Sequence, residues 1–462
     1  MNDQYKNPGA YIVDGPQDWQ VFQRDANGNA EISLGGVFTP DPNLKPEPTC
    51  VVEVRVVRED TGRPVVDWQA AQMNGRNWKI TLHGVRTGGL YKIDTRLRQN
   101  VDPWRLTGDK VFHVAVGDLW VIAGQSNAAG YGHGAPVEDP PCLCVHAYGA
   151  DLRWKLAAHP LHDTTNTTHP VNRDSGWVEH TPWLAFARQV YQDAGVPVGL
   201  LPLALGGSPL GMWDPGEAQP VLYRNMMDVI GRVGGRVAGM LWYQGESDAG
   251  PDLAPTYAKR FERFVTIMRK EVKSPAMPVI TVQLNRVDGN FIALKDRWWG
   301  VIREAQRQLA RTMKNVAVVP AIDLPLSDIV HTSAAGNIIL AERVAKAALA
   351  MAYGRNLQYR APDLARASFS SGRTAIVLDF DNVQGWLTPH ASPTPEFTVE
   401  DSAGEVPIAE VAVAGSQVTL KLGGVPQGKT KVHGALSPDP KFSLRDEDQR
   451  PILGFCDVIV EG

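Results

Sequence analysis

Ser126 sits in the run Gly124-Gln125-Ser126-Asn127, Gln244 and Glu246 in the run Trp242-Tyr243-Gln244-Gly245-Glu246-Ser247, and an acid and a base follow at Asp328 and His331. Together these are the groups that acyl transfer needs. A serine hydroxyl attacks a carbonyl only when a base removes its proton, a carboxylate orients that base, and fixed donors meet the developing oxyanion. Ser126 is the candidate nucleophile, His331 the base and Asp328 its orienter. Chain order runs Ser, Asp, His, and two residues separate acid from base, unlike the dispersed acid and base of other triad folds. The candidate oxyanion donors are the main-chain amides of Ser126 and Gly206 and the side-chain amide of Gln244. Gly206 and Gly207 also read as a tight turn, but a missing β-carbon lets the main chain approach an oxyanion, with Gly206 the preferred donor and Gly207 the alternative. Gln244 follows an apolar run, from which its amide could meet a reacting carbonyl or simply satisfy buried backbone groups.

Each residue also has a plainer reading. A serine in a glycine-bracketed turn is ordinarily a turn residue; what lifts Ser126 above that is the apolar strand ahead of it and the matched partners downstream. Asn127 reads either as a turn or helix-capping side chain or as a substrate contact. Glu246 has three readings: a second orienter for His331, a binder of substrate hydroxyls, or an acceptor for loop amides. Trp154, Trp183 and Trp213 offer apolar faces to a ring-shaped substrate, or are core residues. Gln125, Asn127, Glu246 and Trp213 are carried forward as candidate substrate contacts. His133, His146, His159, His162, His169 and His180 crowd one polar stretch. None forms a compact His-x-x-x-His pair beside a carboxylate, so no metal and no cofactor is expected, and the stretch reads as a loop over the pocket.

These groups need elements to present them. Residues 119–123 are a continuous apolar run, as in a parallel strand buried on both faces, and it ends in the Gly-Gln-Ser-Asn turn. The same strand-then-polar-loop arrangement recurs at 198–204, 238–243, 279–282 and 316–319, with helical patterns at 182–192, 257–273, 299–313 and 334–351. Alternating strands and helices predict a doubly wound parallel α/β sheet, whose ligands bind outside the carboxyl ends of its strands. The three chemical loops then open onto one rim. Residues 1–115 read as a β-sandwich-like domain, because 52–56 alternate apolar and charged residues and 78–82 and 91–95 repeat the pattern. Past residue 353 short strands return, such as 374–378 and 417–422, without a chemical constellation. The expected division is 1–115, 116–353 and 354–462.

The four blocks, with Leu205-Gly206-Gly207-Ser208 as the second, stand in the order of the SGNH hydrolase superfamily. The chain resembles its carbohydrate esterases, above all sialate O-acetylesterases and acetylxylan esterases. One departure marks the branch: most SGNH enzymes have Asn in the third block, whereas Gln244 matches the carbohydrate esterases. The segment 19–24 also resembles the opening of sialate O-acetylesterase chains. The resemblance implies a three-layer α/β/α catalytic domain, an acetyl-enzyme on Ser126, acetylated carbohydrate as substrate and no cofactor. The rival from another class is a carbohydrate-binding protein whose hydrolase core is inactive; the complete Ser126, Asp328 and His331 set speaks against it.

Composition bounds the partners. A chain of 462 residues exceeds one ordinary core, and a net charge of −4 gives no basic field for nucleic acid or anionic lipid. The first residues lack a basic and apolar leader, and no apolar span is long enough to cross a bilayer. A cytoplasmic address is therefore expected for the chain as written, or a secreted or periplasmic one if an export signal was removed. Cys50, Cys142, Cys144 and Cys456 read as free thiols, since the spacing of Cys142 and Cys144 strains a disulfide. Oligomeric state leaves no trace in the sequence.

Overall fold

The continuous apolar run at 119–123 is the hub of the molecule. In the computed structural model, which describes residues 5–44, 49–99, 105–169, 171–174, 177–288, 297–390, 396–440 and 444–462, it forms the last part of the strand Arg105–Gly124. Parallel neighbours lie on both sides: Val198–Pro202 pairs Leu200 with Trp120, and Gly239–Tyr243 pairs Tyr243 with Gly124. Burial on both faces leaves 119–123 at most 1% exposed, which is why that run carries no alternation. Met1 to Gln4, on which the reading of the chain's start partly rests, lie outside the described residues.

The central sheet runs Trp154–Leu156, Val145–Tyr148, Val198–Pro202, Arg105–Gly124, Gly239–Tyr243, Val279–Gln283, Val316–Pro320. All neighbours on this path are parallel except Trp154–Leu156, so the sheet is mixed. Strand order reverses at Arg105–Gly124, whose two neighbours follow it in sequence on opposite sides. Ligands bind at such reversals, and here the turn to Ser126 follows the carboxyl end of the strand.

The expected helices are present as Trp183–Ala194, Tyr257–Glu271, Trp298–Thr312 and Ala334–Tyr353, with Val221–Arg232 in addition. Trp183–Ala194 packs on Ala334–Tyr353, and Tyr257–Glu271 on Trp298–Thr312. The helix after the loop of Asp328 and His331 starts where Ser333 Oγ accepts the Gly336 amide at 3.2 Å and stops at Gly354 in the left-handed region. Among the described residues no helix is long and apolar enough to cross a membrane.

Arg105–Gly124 does not end where the pattern changes at Val116. Its first half pairs antiparallel with Gly88–Gln99 in a sheet with Cys50–Arg58 and Pro64–Ala70. A second sheet of Gly9–Asp14, Asn29–Thr39, Asn77–Arg86 and Gln72–Asn74 shares an apolar core with it. One strand thus belongs to both the N-terminal β-structure and the central sheet. Val21–Gln23, within the segment 19–24, lies parallel to it with Phe22 opposite Val116. C-terminal strands from Asp363–Phe369 onward enclose their own core. They are tied to the central unit by the buried Arg303 guanidinium, which donates to the Ala435, Ser437 and Pro438 carbonyls. No disulfide joins the four cysteines.

Candidate active site

Gly124 ends its strand at a φ of 132°, and a β-carbon there would lie 2.1 Å from the Tyr243 carbonyl oxygen. Only glycine lets the adjacent strand run this close while the chain turns. Ser126 follows as the first residue of the short helix Ser126–Ala129. Its Oγ lies 2.8 Å from His331 Nε2, and His331 Nδ1 lies 2.6 Å from Asp328 Oδ2. The other carboxylate oxygen of Asp328 accepts the Val330 and His331 amides at 2.8 and 2.7 Å. Partial burial pushes the Asp328 carboxyl upward, but the His331 ring and these two amides together hold it below its ordinary value. The acid therefore stays ionised through the neutral range. Residues 205 positions apart meet as a hydroxyl, imidazole and carboxylate in series.

The His331 loop is gripped from beneath. Asn127 Oδ1 accepts the Thr332 amide at 2.9 Å, while its Nδ2 donates to Glu246 Oε1 at 2.8 Å and to the Val330 carbonyl at 3.3 Å. Asn285 Nδ2 donates to the same Val330 carbonyl at 2.8 Å. Both neighbours of the imidazole are thereby fixed to the loops after three different strands. Above, the Tyr131 ring lies 5.0 Å from the His331 ring at a 32° tilt. The Tyr131 hydroxyl donates to Asp174, and the second oxygen of Asp174 accepts the Gly206 amide at 3.0 Å.

A model of the family described as carbohydrate esterase, sialic acid-specific acetylesterase, matches residues 116–350. The chain belongs to that family. A probable carbohydrate esterase of Arabidopsis thaliana is 32% identical over 256 residues, covering 50% of this chain and 90% of the relative. Human sialate O-acetylesterase is 23% identical over 240 residues, and the match spans 44% of each chain. A carbohydrate acetylesterase from Xanthomonas citri of known structure, 23% identical, superposes with a TM-score of 0.64 over 95% of this chain and 97% of its own. The β-rich flanks are thus part of a fold shared along almost the whole length. The protein is a carbohydrate O-acetylesterase.

Within this esterase, several expected contacts turn inward. Gln244 is fully buried, and its amide donates to Asp248 Oδ2 at 2.6 Å, with the Ser208 carbonyl and Gln125 Oε1 each at 3.3 Å. Three acceptors thus surround its two N–H bonds, the arrangement of a strut between neighbouring loops. Asp248, a buried carboxylate already paired with Arg260, is the strongest of them. Gln125, expected against substrate, is 4% exposed, and its Oε1 accepts the Ser247 amide at 3.1 Å. Trp213 is likewise not a substrate contact: it is fully buried, donating from Nε1 to Ser208 Oγ at 3.1 Å. Trp154 and Trp183 are core residues too. Both ring nitrogens of His331 are engaged, by Asp328 and Ser126, while Glu246 Oε1 accepts from Asn127 Nδ2.

Gln244→Ala should accordingly act mainly on stability. Losing the Asp248 contact is expected to lower unfolding free energy by about 1–3 kcal/mol while kcat changes by less than about tenfold. Thermal melts beside initial rates decide it: an unshifted melting temperature with kcat down by roughly a hundredfold or more would restore the oxyanion role.

Sequence reasoning missed Tyr131, Asp174, Asn285 and Asp248. Asn285 and Asp248 were within reach of the rule that strand carboxyl ends carry the site, as they follow Val279–Gln283 and Gly239–Tyr243 closely. Nothing local marks Asp174. The histidine-rich stretch also holds a cluster that spacing does not reveal, where Asp139, His159 and His180 ligand atoms come within 4.8 Å of one another. The Arg188 guanidinium already pairs with Asp139, and its fixed positive charge makes the cluster an ion-pair knot that closes the stretch onto Trp183–Ala194.

Proposed function

We propose that the protein removes O-acetyl groups from carbohydrates through an acetyl-enzyme on Ser126. The observation that carries this is the hydroxyl, imidazole and carboxylate series at 2.8 and 2.6 Å. Ser126 Oγ attacks the acetyl carbonyl carbon as its proton passes to His331 Nε2, and Asp328 stabilises the imidazolium. The amides of Ser126 and Gly206 receive the oxyanion. The Gly206 amide donates to Asp174 Oδ2 at 3.0 Å, so that carboxylate has to move away before the amide can serve the oxyanion. Collapse breaks the acetyl C–O bond, and His331 protonates the departing sugar oxygen. Water, deprotonated by the same imidazole, then releases acetate.

Residues 116–353 are the catalytic unit, of the SGNH three-layer α/β/α kind, between β-sandwich-like flanks 1–115 and 354–462. Asn127 and Glu246 act as positioning residues, which hold the His331 loop and do not touch substrate. The substrate class is an acetylated sialic acid, or else an acetylated xylan fragment or other sugar. The test is acetate released from a panel of O-acetylated sugars, read beside p-nitrophenyl acetate. Release from at least one sugar at a rate well above that of Ser126→Ala is expected. Turnover of the chromogenic ester without any sugar ester would reduce the reading to a general esterase, and turnover of neither would leave a binding protein.

A further inference from the structure

We propose that Trp177 is the platform on which the sugar of the acetyl ester rests, with Glu179 and His133 as its hydrogen-bonding edge; this rests on the esterase reading and locates its carbohydrate. Trp177 is 69% exposed, although a large indole ordinarily gains from burial. An uncovered indole loses apolar exposed area only when something partly apolar covers it. A pyranose ring fits that description. Its C–H face covers the indole, and its hydroxyls need polar partners around the rim.

The position of Trp177 follows from a series of rings. From His331 the next ring is Tyr131 at 5.0 Å, then His133 at 6.3 Å, then Trp177 at 6.2 Å and nearly perpendicular. The series links the imidazole that would protonate the departing sugar oxygen to the exposed indole, a path along which a sugar could project from its ester. Polar groups stand where the hydroxyls would be. Glu179, with a side chain 63% exposed, lies 3.0 Å from His133 Nδ1, so a carboxylate acceptor and an imidazole share the edge of the platform.

Both polar residues are anchored to the loops that carry the catalytic groups. The Glu179 amide donates to the Gly130 carbonyl at 2.7 Å, just past Ser126–Ala129. On the other side, the His133 amide donates to Ser327 Oγ at 3.3 Å, next to Asp328, and the His133 carbonyl accepts the Ala334 amide at 3.3 Å. Such anchoring fixes the edge relative to the reacting carbonyl, as a positioning surface requires.

Steady-state kinetics of Trp177→Ala and Trp177→Phe test the assignment, on the best sugar ester of the acetate-release panel and on p-nitrophenyl acetate, which has no sugar to stack. Trp177→Ala should raise KM for the sugar ester about tenfold, with kcat and p-nitrophenyl acetate turnover within about twofold of the parent. Trp177→Phe should recover most of the loss. An unchanged sugar KM sinks the platform and leaves the esterase reading intact; so does an equal loss on both substrates, which would make Trp177 a structural residue. If the parent enzyme releases acetate from no sugar, the esterase reading fails first and the platform with it.

Discussion

Ser126→Ala and His331→Ala should each lower kcat by several orders of magnitude, on the order of 10³-fold or more, and the double variant should lose little beyond either alone. The hydroxyl and the imidazole act on one proton 2.8 Å apart, so once either is gone the other has no task. Residual turnover would come from binding and the oxyanion donors alone. Because Ser126 is only 8% exposed and its hydroxyl is small, alanine there should leave the melting temperature almost unchanged, so the kinetic loss is separable from unfolding. Retention of more than about a tenth of parental kcat, a barrier change below roughly 1.4 kcal/mol, would show that Ser126 is not the nucleophile.

Asp328→Asn should be the next most damaging change. An amide at this position presents N–H groups where the carboxylate now accepts from His331 Nδ1 at 2.6 Å and from two backbone amides, which favours the wrong imidazole tautomer. A fully buried triad acid costs on the order of 10⁴-fold in kcat when converted to its amide. The Asp328 side chain is 41% exposed, so water can replace part of what is lost, and a fall of roughly 10²- to 10³-fold is expected. Glu246→Gln keeps an oxygen that accepts from Asn127 Nδ2 and should cost less than about tenfold. Measuring kcat for both across neutral pH settles the assignment; the reverse ranking would make Glu246 the acid.

Much of the chemistry was legible because it depends on residue types at strand ends. A two-face-buried strand is largely apolar, so the runs 119–123, 238–243, 279–282 and 316–319 could be read as strands, and the structure has strands there. Ser126, Asp328 and His331 follow from that placement together with the demands of proton transfer. Side-chain direction follows from no such rule. Gln244 and Trp213 occupy site-like positions in the sequence, yet a one-bond change in direction decides whether a side chain meets solvent or a buried partner. That choice is set by Asp248 and Ser208, which contact them only after folding.

What the sequence by itself determined, then, is the set of candidate reacting groups and the alternation of strands and helices that presents them, since both are local in composition and period. Only the tertiary structure decided which polar atoms remain free to react. Asp174 reaches the Gly206 amide across 32 residues of chain, and Asn127 reaches Thr332 across 205. It also decided that the N-terminal β-structure and the central sheet share the strand Arg105–Gly124, a continuity hidden where a one-sided, alternating pattern passes into a two-sided, apolar one. The physical reason is common to all three. Hydrogen-bond donors and sheet edges are satisfied by whatever lies nearest in space, and that neighbour is fixed by long-range packing, which no window of sequence contains.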